Sequence, residues 1–280
     1  MTRLTRAPGH GRLASLALIA VLAAALAGPA TATAATTTID DATRRSLEAA
    51  MVNELNADRT ALGLVRVQVD PRLTRIARAR SENMVAYDYF AHTQPDGRNA
   101  FDLLNAAGIT WYNAGEILAW NNYPLDSTAS AANRQWMNSP GHRSIVISKE
   151  YNYVGVGLAV DPATGKKLWT AIYLKGPDRT PARATAKAPA LRAGPTASTR
   201  YAKLTWSGYD PRLQVLTAGL RSFTIQRRID GGSFVTLVSS TTLTYTTFKV
   251  ALGHRYEFRI AARDRNGNRG AWSTRVIDLR

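Results

Sequence analysis

The stretch "WMNSPGHRSIV", Trp136 to Val146, sets a turn signal, Ser139-Pro140-Gly141, directly against a histidine and an arginine. Histidine is scarce in this 280-residue chain, with four in all, so His142 stands out as a candidate for chemistry. The turn is expected to end the helix before it and aim the imidazole inward. The preceding "LDSTASAANRQWMNS" has helical periodicity with Asp126 or Ser127 as its cap. The following "YVGVGLAV" and "KLWTAIYL" alternate as strands around "DPATGK", a hairpin turn.

Upstream the pattern is helical. In "DDATRRSLEAAMVNELNADRTALG", Leu47, Met51 and Leu55 recur every fourth position and Gly63 is a stop. "DPRLTRIARARSENMVAYDYF" begins with Asp70 as N-cap and Pro71 at the first helical position, and Leu73, Ile76, Ala77, Met84 and Tyr87 form its apolar face. "NAFDLLNAAG" is a short helix ending at Gly108. Arg59, Arg78 and Arg80 fall on these helices and are expected on solvated faces. Helices followed by an antiparallel hairpin imply an α+β layered domain over residues 41–175.

The ends of the chain differ from this middle. Arg3, Arg6 and Arg12 precede an apolar run from Leu13 to Ala27 and then small residues, "GPATATAATTT". That is the layout of a secretory signal peptide, placed at residues 1–34, and the run is short for a membrane span. A secreted, extracellular or cell-wall-associated protein is expected, with no transmembrane span in the mature chain. The sequence has no cysteine, which excludes disulfide staples and thiolate chemistry. The formal charge is +16, so anionic cell-envelope material is an expected partner; no helix-turn-helix, zinc-finger or RNA-binding motif argues for specific nucleic acid. A monomer is expected.

Near Lys175 the composition shifts. "KGPDRTPARATAKAPALRAGPTASTR" is rich in Pro, Ala and Thr and has no aromatic residue, so residues 176–199 are expected to be a basic extended linker. Beyond it "YAKLTWSG", "SFTIQRRI", "SFVTLVS" and "RYEFRIAARD" are short alternating runs between turns, which implies an all-β, immunoglobulin-like sandwich over residues 200–280.

The first domain resembles the CAP superfamily (cysteine-rich secretory proteins, antigen 5, pathogenesis-related 1) in a cysteine-free bacterial form. The resemblance is carried by "VNELNADRTALGL", "YFAHTQPDGR", "NAGEILAW", "WMNSPGHRSIV", "VGVGLAV" and "LWTAIYL", in that order. It implies an α-β-α sandwich with a cleft to which His92, Glu116 and His142 would contribute; the family's second glutamate falls near Ser139, so this chain lacks it. The tail resembles a fibronectin type III domain, with Trp206 as core tryptophan and Leu252 and Tyr256 in a tyrosine-corner pattern.

Two histidines and a carboxylate are a reasonable ligand set for zinc or another divalent metal, with His92 and His142 as the metal ligands. They equally suit hydrogen bonds that hold the cleft together. Ser139 and Ser144 sit in no G-x-S-x-G elbow and are read as turn residues. Glu116 is a candidate general base on water. Trp111, Tyr112, Trp120 and Tyr123 bracket Glu116, and aromatic residues beside a carboxylate can line a sugar or lipid groove. His92, Glu116, His142, Ser139 and Trp120 thus make up the expected binding cleft, taking a lipid or glycan ligand. An envelope binding protein with a fibronectin-like spacer or adhesion module is the first expectation, and a metal-assisted hydrolase of wall peptide or glycan the alternative.

Overall fold

Helices α1 (Asp41–Ala61), α2 (Pro71–Ala86) and α3 (Ala100–Ala106) each start at a side-chain cap, for α2 the expected Asp70. Asp40 accepts from Thr43 N, Asp70 from Arg72 N, and Asn99 with Asp102 forms a reciprocal capping box. These elements come from a computed structural model that describes residues 39–280; the segment 1–34, expected from the sequence to be a signal peptide, lies outside the described residues. Strand β1 (Gln68–Val69) precedes α2, and β2 (Asn113–Asn121) follows α3. Helices α4 (Thr128–Asn138) and α5 (Pro140–Val146) lead to β3 (Tyr153–Val160) and β4 (Lys167–Lys175).

The four strands form one sheet in the order β1-β3-β4-β2, parallel at β1–β3 and antiparallel elsewhere. Helices cover both faces. Met51 and Leu55 of α1, Trp136 of α4 and Val146 of α5 pack on Ile117, Val154, Val156, Trp169 and Tyr173. Leu73 and Ala77 of α2 and Leu104 of α3 pack on Tyr153, Ile172 and Leu174. This is the expected α-β-α sandwich. Burial on both faces explains why β3 and β4 carry near-continuous apolar runs. Gly155 and Gly157 of β3 let α2 approach its backbone: a Cβ on Gly157 would lie 2.1 Å from Arg78 N.

After β4 the chain does not become a free linker. Residues Arg183–Ala186 and Ala190–Ala193 are strands β5 and β6, both paired antiparallel to β7 (Thr199–Tyr209). The reading of residues 176–199 as linker is corrected here. A Pro/Ala/Thr run without large side chains still satisfies its backbone by joining a sheet edge, and ladder hydrogen bonds do not require core side chains. Strands β8 (Leu220–Ile229), β9 (Val235–Thr241), β10 (Tyr245–Ala251), β11 (Arg255–Asp264) and β12 (Ser273–Asp278) complete two four-stranded sheets, β10-β7-β5 with β6 also on β7, and β12-β11-β8-β9. Ala202, Leu204 and Trp206 from one meet Phe223, Ile225, Phe258 and Ile260 from the other in a single core.

The two halves are joined by more than the connecting chain. Leu213, in the stretch between β7 and β8, is buried in the core under α2 and α3. Gln214 Oε1 accepts from Val65 N at 2.7 Å, and Tyr153 OH accepts from Arg179 N at 2.8 Å. Asp178, Asp210 and Asp264 meet at this junction, each offering an oxygen within 4.8 Å of the others. Asp178 accepts from Ala218 N, Asp210 from Gly219 N and Asp264 from Asn268 N. Burial, then the neighbouring carboxylates, pushes the Asp210 carboxyl above its ordinary range.

Candidate functional site

His142 does not follow a simple turn. Ser139 closes α4 and is at once the N-cap of α5, Pro140 is the first residue of α5, and His142 lies in its first turn. Pro140 takes the first helical position as Pro71 does in α2, but the Ser139 side chain, unlike that of Asp70, makes no capping hydrogen bond. Seven residues from Pro140 to Val146 then carry the imidazole out from the helix-helix junction. Glu116 sits on β2, whose Gly115–Ala119 are all buried. This strand was not expected from the sequence, because two buried faces erase the alternation that marks a strand.

Two fully buried arginines position the histidine-bearing segments. Arg80 is 0 % exposed and donates from Nε to Glu116 Oε1 at 3.0 Å, from Nη1 to Tyr89 OH at 2.9 Å, and from Nη2 to the carbonyls of Ala91 and His92 at 2.8 and 2.9 Å. One guanidinium therefore fixes the carboxylate and the loop that carries His92. Arg59, also 0 % exposed, donates to Val146 O and Ser148 O, both at 2.8 Å, and holds the C-terminal end of α5. Arg78 pairs with buried Glu48 at 2.5 Å. The expectation of solvated faces for Arg59, Arg78 and Arg80 is thus corrected. The signal was in the spacing: Arg59 follows Leu55 by four, and Arg80 lies three after Ala77 and four before Met84, on the buried stripe of each helix.

Glu116 is the hub. Its Oε2 lies 2.7 Å from His92 Nδ1 while its Oε1 receives Arg80. The carboxylate can only accept, so Nδ1 carries the proton and the Nε2 lone pair of a neutral His92 is left free. The glutamate side chain is 3 % exposed and the histidine 58 %. His142 is half-buried; burial first, and then the charge of His92, lowers its pKa from the ordinary imidazole value.

The expected cleft residues divide into two groups. His92 and Glu116 are in direct contact. Trp120, Ser139 and His142 line a groove of about 520 Å³ together with Phe90 and Tyr123. Among the described residues, the group of ligating atoms that converge within 4.8 Å is the aspartate trio at the junction; His92, Glu116 and His142 do not converge in this way. Trp120 is stacked beneath Lys166, whose Nζ lies 4.5 Å from the ring centre. Trp111 turns away, its Nε1 donating to Asn105 Oδ1. Arg80, Arg59 and Phe90 are the site residues that the sequence did not single out.

Comparison with known proteins agrees with this architecture. Residues 52–173 match the model of the CAP, cysteine-rich secretory protein, family. Two Bacillus subtilis (strain 168) proteins are similar: the uncharacterized protein YkwD, 34 % identical over 139 residues, 50 % of this chain and 51 % of that protein; and the uncharacterized membrane protein YlbC, 28 % identical over 120 residues, 43 % of this chain and 32 % of that protein. The chain thus spans about half the length of the first and a third of the second. Among solved structures, an extracellular protein containing a SCP domain from Bacillus anthracis str. Ames is 24 % identical, with TM-score 0.42 over 47 % of this chain and 41 % of that one. An outer surface protein from Borrelia burgdorferi is 18 % identical, with TM-score 0.43 over 50 % of this chain and 98 % of that one. No helix among the described residues is long and apolar enough to cross a membrane. Sequence order and layered fold over residues 52–173 agree with the match of that stretch to the CAP-family model.

Proposed function

We propose that this is an exported, envelope-associated binding protein whose CAP domain holds a glycan or lipid in the groove between β2 and the α4–α5 junction. One observation carries the proposal: aromatic rings of Phe90, Trp120 and Tyr123, each between 43 % and 51 % exposed, share that groove with the polar side chains of Asn122, Gln135, Ser139 and His142. A mostly apolar concavity with a few placed polar groups is the common form of a small-ligand site. Binding is favoured over metal-assisted hydrolysis because both oxygens of Glu116 are engaged, by Arg80 and His92, and neither is free to take a proton from water. In the same proposal His92 Nε2 and His142 are two nitrogen donors for a weakly held zinc or similar ion, with Glu116 orienting His92 rather than ligating. The β-sandwich is assigned as a fibronectin type III-like spacer, supported by buried Trp206 and by Tyr256 OH, which accepts from Ala251 N at 2.9 Å.

Calorimetric titration with soluble peptidoglycan fragments and with phosphatidylglycerol vesicles tests the groove. Wild type should bind one of them, and Trp120→Ala and His142→Ala should each weaken binding by about tenfold or more. Equal affinity in all three proteins, or no binding of either probe, overturns the groove assignment. Zinc titration of wild type, His92→Ala and His142→Ala tests the metal, and equal zinc affinity in the three rules it out.

A further inference from the structure

The positive charge is not spread over the molecule. Residues 36–175 hold 15 Lys and Arg against 14 Asp and Glu, whereas residues 176–280 hold 18 against 6. The CAP domain is near neutral and the β-sandwich carries almost the whole charge. Within the sandwich the two outer faces differ again. The β12-β11-β8-β9 sheet mixes acids with its cations: Arg228 pairs with Glu257, and Asp278 at the end of β12 pairs with Arg280, while Arg227, Arg259, Arg263 and Arg275 have no ion-pair partner among the described residues. The other sheet has no acid at all: no Asp or Glu occurs between Asp178 and Asp210, or between Asp230 and Glu257. Those two segments supply β5, β6, β7 and β10.

Register turns this composition into a surface. Ala202, Leu204 and Trp206 of β7 point into the core, so Tyr201, Lys203 and Tyr209 point out. Cross-strand pairing places Arg192 and Lys249 on either side of Tyr201 in one row, and Arg183 beside Tyr209. Lys203 stacks over Tyr245 at 5.0 Å. Tyr201, Tyr209 and Tyr245 are 41 %, 56 % and 51 % exposed. Arg183, Arg192, Lys203 and Lys249 have no ion-pair partner among the described residues. At its β5 end the face runs into a groove of about 660 Å³ lined by Arg183, Tyr209 and Trp272, again without an acid.

We infer that this face binds a linear phosphodiester-linked sugar or polyol polymer. Unpaired cations in rows across a flat sheet offer single contacts to many phosphates rather than a fork around one, so a chain with repeated charge gains most. The interleaved tyrosine rings present flat apolar faces to the carbon skeleton between phosphates while their hydroxyls stay wet. Thr185, Thr205, Ser207 and Thr247 occupy further outward positions, and none of them is an apolar wedge to enter a bilayer. The near-neutral CAP domain would then meet its own ligand while the sandwich holds the protein on the polymer. This rests on the envelope-binding role proposed above but uses a different surface.

The test is binding of the full chain, by biolayer interferometry, to immobilised poly(glycerol phosphate), to dextran and to a single-stranded oligodeoxynucleotide. The polymer should bind, dextran should not, and affinity should fall steeply between about 0.1 M and about 0.5 M salt. Lys203→Glu with Lys249→Glu should weaken binding by about tenfold or more, whereas the same double charge reversal at Arg227 and Arg275, on the other sheet, should weaken it by less than about threefold. Tyr201→Ala, which leaves charge unchanged, should also weaken it. Equal losses from both charge reversals would show that net charge alone is read and would overturn the assignment of this face. Tighter binding of the oligodeoxynucleotide than of the polymer would replace the proposed ligand with nucleic acid, and no polymer binding would refute it. Trp120→Ala separates the two roles: it should leave polymer binding intact even if groove binding is lost.

Discussion

Replacing Arg80 by methionine keeps an unbranched apolar stem and a similar helix propensity while removing the guanidinium with its charge and donors. The guanidinium now serves Glu116, Tyr89 and the carbonyls of Ala91 and His92, all at 2.8 to 3.0 Å. In Arg80→Met the Glu116 carboxylate, 3 % exposed, would keep only His92, and two loop carbonyls would lose their donor. Removing one partner of a buried ion pair costs about 3–5 kcal/mol, chiefly because the other charge is stranded. A domain of this size loses about 2–4 °C of Tm per kcal/mol, so a fall on the order of 10 °C is expected. Adding Glu116→Gln removes the stranded charge, so the double variant should be more stable than Arg80→Met alone. Urea unfolding followed by near-ultraviolet circular dichroism reads all three variants. A loss below about 1 kcal/mol in Arg80→Met, or simple additivity in the double variant, would show that Arg80 does not hold the site together.

Other parts of the molecule make equally definite demands. Tyr256→Phe should cost about 1 kcal/mol in thermal unfolding, because Ala251 N loses its acceptor while the ring packing is kept; unchanged stability removes the corner from the fold's support. Asp210 has a raised pKa through burial and then its carboxylate neighbours, so its contribution to stability is full below the ordinary carboxylate range and is lost as pH rises through the raised folded value. Asp210→Asn should therefore be more stable than wild type at neutral pH and no better at low pH, in melts run across that range; a constant difference at every pH would refute the sign. Gly157→Ala should destabilise by about 3 kcal/mol or more, since its Cβ would sit 2.1 Å from the backbone of α2. Gly141→Ala, helical and with nothing within 4 Å, should gain about 0.5–1 kcal/mol, and chemical denaturation compares the pair directly.

Local physics was legible in the sequence wherever one residue decides the outcome. Asp70 before Pro71 starts α2, Gly108 follows the end of α3, and "DPATGK" turns β3 into β4. The helical period placed Met51, Leu55 and Leu73 in the core, and the resemblance of the tail to a fibronectin type III domain pointed to Trp206 and Tyr256 as buried residues. Motif order along the chain was enough to assign the CAP domain. What periodicity could not show is which partner a residue meets across the fold. Arg80 read as a charged helix residue, because only the arrival of β2 and the His92 loop gives its donors acceptors and makes burial affordable. Strand β2 itself was hidden, since helices on both faces of the sheet bury both sets of its side chains. The stretch read as a linker gives the sandwich core only the small side chains of Ala182 and Ala186, and its order comes largely from backbone pairing with β7, a partner that composition does not reveal. Tertiary structure likewise split the expected cleft, placing His92 on Glu116 and His142 beside Trp120, because the two histidines hang on separate frameworks fixed by Arg80 and Arg59.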